Sequence, residues 1–261
     1  MGDSYTELMA EAGLLLNRGR LAQALMTCET WHNEGRVSKV DASLVAARVN
    51  LDAARPAQAL EKILEVSDLD TDHVQVDLVR GLCLFELVQF PEALATLKSV
   101  VRRSPQEADA HYIVGLIHEL ARRDDLAEPF FRQARQLNPD EYMPRVDYSK
   151  SVFSEILHQA VAGLPEESAR ALQRYPIVVS DLPNIPDLER LRPRVSPRAL
   201  AMILGGDPAN PVIQRRPCLM LFKVSIERTF RDVGMMVTGI RRTVIREFAE
   251  AMGLEGDDPD S

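Results

Sequence analysis

The sequence predicts a two-part chain, an α-helical repeat solenoid over residues 1–145 followed by a small α/β domain over residues 146–261. Three observations predict it. Small and bulky apolar residues recur every 34 positions in the first half. Proline use changes after Pro144, with seven prolines between Pro183 and Pro217. Two short apolar runs then sit between segments of helical period, the pattern of strands enclosed by helices. The chain has 46% hydrophobic and 27% charged residues, enough apolar surface for a buried core and too much for a disordered chain.

The repeat comes first. Gly81 and Gly115, Ala93 and Ala127, Leu97 and Phe131, and Pro105 and Pro139 each stand 34 residues apart. A small residue midway along one helix and an alanine opening the next let two antiparallel helices approach, and the bulky residue fills the gap. One step back, Ala47, Ala59 and Ile63 keep the pattern, with Thr71 in the proline slot. Ala12, Leu15, Ala24 and Cys28 offer a first unit slightly out of phase. About four helix pairs are expected, the outer ones degenerate, because a single pair cannot bury its apolar face alone.

This set resembles the tetratricopeptide repeat. The resemblance implies that the first helix of each pair lines a concave face and that the function is recognition of a protein or peptide. Carried over residue by residue, Leu44, Arg48, Leu78, Leu82, Phe85, Tyr112, Leu116 and Glu119 fall at groove positions. Family members that grip a C-terminal carboxylate place Lys, Arg and Asn there. Leu, Phe and Tyr predominate here, so that clamp is not expected, and an apolar groove would suit an amphipathic helix or an extended apolar segment. Cover by the chain's own second half is the alternative occupant.

In the second half, residues 149–163 repeat apolar positions at helical spacing. Residues 175–180 and 218–223 read as strands, and residues 225–252 as helix broken near Asp232 to Gly239. The order of helix, strand ending in Asp181-Leu182-Pro183, Leu204-Gly205-Gly206, strand ending in Leu221-Phe222, and final helix followed by Gly253-Leu254 is similar to the minimal zincin-like metallopeptidases of bacteria. That resemblance covers residues 150–258 and implies a His-Glu-x-x-His motif on the last helix. Here the motif positions read Arg246-Glu247-Phe248-Ala249-Glu250. Two histidines four apart would supply zinc with two neutral nitrogens. Arg246 is instead a permanent cation, and only the would-be base, Glu247, remains. No histidine follows His158. The resemblance thus implies an inactive peptidase fold with no metal and no cofactor. Arg246 and Glu250 stand one turn apart, placed to pair where the ion would have been. His111 and His118 stand seven apart on a repeat helix, but His118 takes an aromatic packing slot of the repeat.

The net charge of −8 is uneven: +7 over Pro186 to Arg246, −6 over Glu247 to Ser261, and −9 in residues 1–185. No aromatic residues interleave with the arginines, so a nucleic-acid stacking surface is not expected. Apolar runs are too short to span a bilayer, which takes ~20 residues. Three scattered cysteines suggest neither a disulfide framework nor a cysteine zinc site, and the chain is expected in the cytoplasm. The functional expectation is a non-catalytic adaptor. Beside it stand an active metallopeptidase with atypical ligands (Glu250, Asp257 or Asp258) and a chaperone or assembly factor shielding an apolar client segment.

Overall fold

The computed structural model describes residues 3–67, 73–191, 195–205 and 217–252. The chain divides into two compact units, Met1–Tyr142 and Met143–Ser261.

Among the described residues, the first unit has eight helices in four hairpins: α1 (Asp3–Asn17) with α2 (Leu21–Asn33), α3 (Lys39–Asp52) with α4 (Pro56–Ser67), α5 (Val74–Glu86) with α6 (Phe90–Arg103), and α7 (Ala108–Leu120) with α8 (Asp124–Leu137). Each helix packs on its hairpin partner and on the helix that follows, and the first helices of neighbouring hairpins also touch, which is the contact pattern of a solenoid. The expected small-to-bulky contacts are the hairpin seams. A Cβ built on Gly81 would lie 2.5 Å from the Leu97 side chain, and one on Gly115 would lie 2.7 Å from the Phe131 ring. Ala93 and Ala127, opening α6 and α8, are buried.

Helix ends follow their local chemistry. Ser38 caps α3 by accepting a hydrogen bond from the Asp41 N–H at 3.0 Å. Pro56 and Pro91 sit in the first turns of α4 and α6, where a missing N–H costs little. Three hairpins turn through a left-handed residue at equivalent positions, Ala54 (φ 55°), Val88 (φ 61°) and Arg122 (φ 57°). Glycine, which bears no Cβ penalty there, fills the corresponding turn only at Gly19 (φ 70°). The turns are closed by backbone bonds from Arg55 to Asn50 (2.7 Å), Gln89 to Leu84 (2.8 Å) and Arg123 to His118 (2.9 Å).

The second unit contains α9 (Lys150–Ala162), α10 (Glu166–Arg174), β1 (Ile177–Ser180), α11 (Ile185–Arg190), β2 (Ala201–Leu204), β3 (Cys218–Phe222), α12 (Lys223–Thr229) and α13 (Val233–Met252). Its sheet has the order β1-β3-β2. β1 runs parallel to β3 with Ile177 beside Leu219, and β2 runs antiparallel with Ala201 beside Leu221. The core joins Phe153, Ile156 and Ala160 of α9 to Met236, Ile240, Val244 and Phe248 of α13, with Leu219 and Leu221 of β3 against them.

The last helical segment breaks earlier than expected, at Phe230–Asp232 rather than across Asp232 to Gly239. Gly239 lies inside α13 because the Phe230 ring packs where its side chain would be. A buried ion pair was not foreseen. Lys223 reaches Glu227 at 2.6 Å with side-chain exposures of 9% and 0%. The Tyr148 N–H donates to the same carboxylate at 2.9 Å, which ties the approach to α9 onto α12. Arg241 donates to the Ala160 and Gln159 carbonyls and so satisfies the C-terminus of α9.

Candidate functional site

The groove residues expected on the first helices separate by burial. Leu44, Leu78, Phe85, Leu116 and Glu119 are buried, while Arg48, Leu82 and Tyr112 remain partly exposed. Leu44 packs with Ile63, Val66 and Val79 in the core between hairpins. Phe85 meets Phe90 in a tilted contact with ring centroids 5.9 Å apart. These side chains hold the repeats together and do not offer an open apolar trough. The side chains that α3, α5 and α7 leave accessible at the predicted positions are one cation, one leucine and one tyrosine.

Tyr112 is held on two sides. Its ring stacks on Tyr142 at 4.4 Å and meets Phe131 at 5.7 Å. The Tyr142 hydroxyl donates to Asp109 at 2.6 Å, and burial together with that carboxylate pushes the phenol's pKa up. Arg48 and Leu82 stand 34 residues apart, at the same position of successive repeats.

A polar line crosses several hairpins and was not predicted. Arg48 donates to the Gln75 side-chain carbonyl at 3.3 Å, and the Gln75 amide donates to Glu107 at 2.8 Å. Tyr5 of α1 is near enough to feel Arg48: burial raises the phenol's pKa, and the guanidinium opposes that rise. The signal was available, since polar residues recur at Asp41, Gln75 and Asp109 with the repeat spacing.

On α13, the motif positions lie near the helix end. Arg246 contacts Glu247 at 3.1 Å and Glu250 at 3.8 Å, with 59% of the arginine and 69% of Glu250 exposed. An ion pair this open is screened and adds little to stability. Glu247 is largely buried, and burial raises its carboxyl pKa while Arg246 pulls it down. Phe248 between them is fully buried in the core. Gly253, Leu254, Gly256, Asp257 and Asp258 lie outside the described residues. His111 and His118 of α7 flank Phe130 of α8, with centroids 6.1 and 5.8 Å from its ring, so both are packed as aromatic neighbours. No helix of the described residues is long and apolar enough to cross a membrane.

Comparison with known proteins agrees on the repeats. Residues 44–107 and 86–142 match the tetratricopeptide repeat family model. The comparison with curated proteins returned no match. Among solved structures, MamA from Desulfovibrio magneticus RS-1 is similar at 22% identity over 54% of this chain and 79% of that chain, with a TM-score of 0.42. A further MamA structure shows 19% identity over 49% of this chain and 74% of that one, with a TM-score of 0.41. YrrB, described as a TPR protein with an unusual peptide-binding site, shows 20% identity over 52% and 70% of the two chains, with a TM-score of 0.40. Residues 44–142, which span α3 to α8, carry tetratricopeptide repeats.

Proposed function

We propose that this chain is a non-catalytic interaction scaffold whose repeat surface takes up a segment of a protein or peptide partner. The observation that carries the reading is the accessible set Arg48, Leu82 and Tyr112 on successive first helices of matched repeats. Tyr112 supplies a rigid aromatic face already fixed by Tyr142 and Phe131, which lowers the entropy lost on binding. Leu82, on the preceding first helix, supplies apolar contact. Together they suit a short partner segment with apolar anchors. A reducing, cytoplasmic setting is our reading for a chain with three scattered cysteines.

For the second unit, our reading is a zincin-like scaffold without its zinc. Among the described residues, a three-stranded sheet with one antiparallel strand, packed against α9 and a long α13 that bears the motif positions, supports it. Arg246 at the first ligand position places a fixed positive charge where a zinc ion would need a neutral nitrogen, which argues against an active peptidase.

The test is selection of a random 12-residue display library on the full chain. Enrichment of a peptide family that loses binding to both Leu82→Lys and Tyr112→Lys is the expected result. A library with no enrichment, or peptides indifferent to both substitutions, would remove the repeat surface as the binding site. Circular dichroism of each variant establishes that it is folded.

A further inference from the structure

Strand β1 forms one edge of the sheet in the second unit, beside β3. One backbone bond fixes which way its polar groups point. The Leu219 N–H donates to the Pro176 carbonyl at 3.1 Å, with Ile177 in register beside Leu219. Alternate residues of a parallel ladder turn their backbone groups to the same neighbour. Val178 therefore bonds to β3, whereas Ile177 and Val179 turn both N–H and C=O away from the sheet. Among the described residues, no group hydrogen-bonds that outer edge. Its side chains are open too, with Val178 42% and Val179 43% exposed. The opposite edge is covered, since Ala201 and Met202 of β2 are buried.

An edge that shows two valines and carries no charge within the strand is a template for another strand. A second copy laid antiparallel across a twofold axis at Val178 completes it. Ile177 of each copy then faces Val179 of the other, and every such pair exchanges both of its N–H···O bonds. All outward groups of both strands are satisfied. Moving the axis to Ile177 would pair Val179 with Tyr175, whose N–H is already given to Ala171. Moving it to Val179 would pair Ile177 with Asp181, whose carbonyl already accepts from Val224. At the Val178 axis the two Val178 side chains meet as a close pair, and Val179 lies beside Ile177. Charges complement as well. Arg174 precedes the strand, Asp181 follows it, and both are exposed. The twofold brings the acid of each copy to the end where the arginine of the other enters. An unrelated extended peptide would satisfy the backbone groups but lacks this doubled charge match.

We infer that β1 is a self-association edge, through which two copies of this chain join their sheets into one. The seam involves a strand of four residues on each side. So short a contact falls below the ~1,000 Å² of a lasting interface, so the dimer is reversible and forms at high concentration. The inference is independent of the repeat-surface reading and stands or falls without it.

Sedimentation equilibrium of the full chain from about 10 μM to about 1 mM should show a monomer–dimer equilibrium. Val179→Pro removes an outward N–H and spares the ladder to β3, because that N–H faces away from it. It should weaken the dimer about tenfold or more, the effect of losing a symmetric pair of hydrogen bonds. Cross-linking reads the register. Val178→Cys sets two thiols across the axis with Cα atoms about 4.5 Å apart, within disulfide range. Mild oxidation should join them, and mass spectrometry of the digest identifies the 178–178 bridge. Val179→Cys should give little, since its counterpart in the second copy lies beyond the ~7 Å limit. The wild type, with three native thiols, sets the background. Circular dichroism checks each variant, and the cysteine arm needs no proline, so poor folding of Val179→Pro leaves the register test intact. A monomer throughout the range, a dimer indifferent to Val179→Pro, or equal cross-linking at 178 and 179 would overturn the inference.

Discussion

Gly115→Ala tests the repeat seam quantitatively. The new Cβ would lie 2.7 Å from Phe131 Cε1, 2.8 Å from Cδ1 and 3.2 Å from Cζ. Ordinary carbon contacts begin near ~3.5 Å, so the ring must retreat by roughly 0.8 Å. It has little room, because Phe131 is 8% exposed and packs against Tyr112. Overpacking of this kind costs about 1–3 kcal/mol. Alanine in a helix interior returns about 1 kcal/mol relative to glycine. The expected net is a loss of about 1 kcal/mol, measured by urea unfolding of the full chain followed by circular dichroism. Phe131→Ala removes the ring that the new Cβ would meet. The double variant should therefore be more stable than the sum of the single changes by at least about 0.5 kcal/mol. A stabilised Gly115→Ala, or strict additivity of the two changes, would refute the close-packing account.

Lys223→Met strands the Glu227 carboxylate, whose side chain is 0% exposed, and should cost about 3–5 kcal/mol in urea unfolding; Lys223→Met with Glu227→Leu should recover most of it, and a single-variant cost below about 1 kcal/mol would show that the pair is not sealed from water. Ala54→Gly should stabilise the first unit by about 0.5 kcal/mol, because glycine relieves the left-handed strain and gives part of that back as unfolded-chain entropy. The neighbouring Ala53→Gly, at φ −82°, should destabilise, and the same sign for both would contradict the turn assignment. His118 has its pKa lowered from 6.5, chiefly by burial and then by Lys98 and Arg123. The folded state thus binds the proton less readily than the unfolded one, so stability is full above about pH 6.5 and falls as pH drops below it. His118→Phe should flatten that slope, and an unchanged profile would assign the acid sensitivity elsewhere.

The repeats were legible because their packing is local and periodic. Gly81 with Leu97 and Gly115 with Phe131 are short-range pairs, and a 34-residue spacing exposes them in one dimension. Helices α9 and α13 were legible for a similar reason, since Phe153, Ile156 and Ala160, and Met236, Ile240, Val244 and Phe248, hold the helical pitch. Strand β2 was not resolved as an element, because Ala201–Leu204 spans four residues and its partner lies beyond a proline-rich stretch. α10 carried usable signals in Glu166 and Glu167 at its start and Arg174 at its end, but it buries too little apolar surface to show a stripe. Gly239 read as a breaker, since nothing in the one-dimensional pattern shows that Phe230 fills its space. Among the groove positions, Leu44 and Phe85 are buried. Position within a repeat says which helix face a residue occupies, whereas burial depends on the neighbouring hairpin. Lys223 and Glu227 look like surface charges in sequence, and their burial follows from α12 being enclosed along most of its length.

The central claim is that the chain holds a partner segment on its repeat surface and performs no chemistry on it. The most direct measurement is mass spectrometry of a library-selected peptide recovered from its complex with the full chain, after incubation with and without added zinc. Recovery of the peptide intact under both conditions, with capture lost in Tyr112→Lys, is the predicted result. Zinc-dependent fragments of the peptide would contradict it and make the second unit a working peptidase despite Arg246.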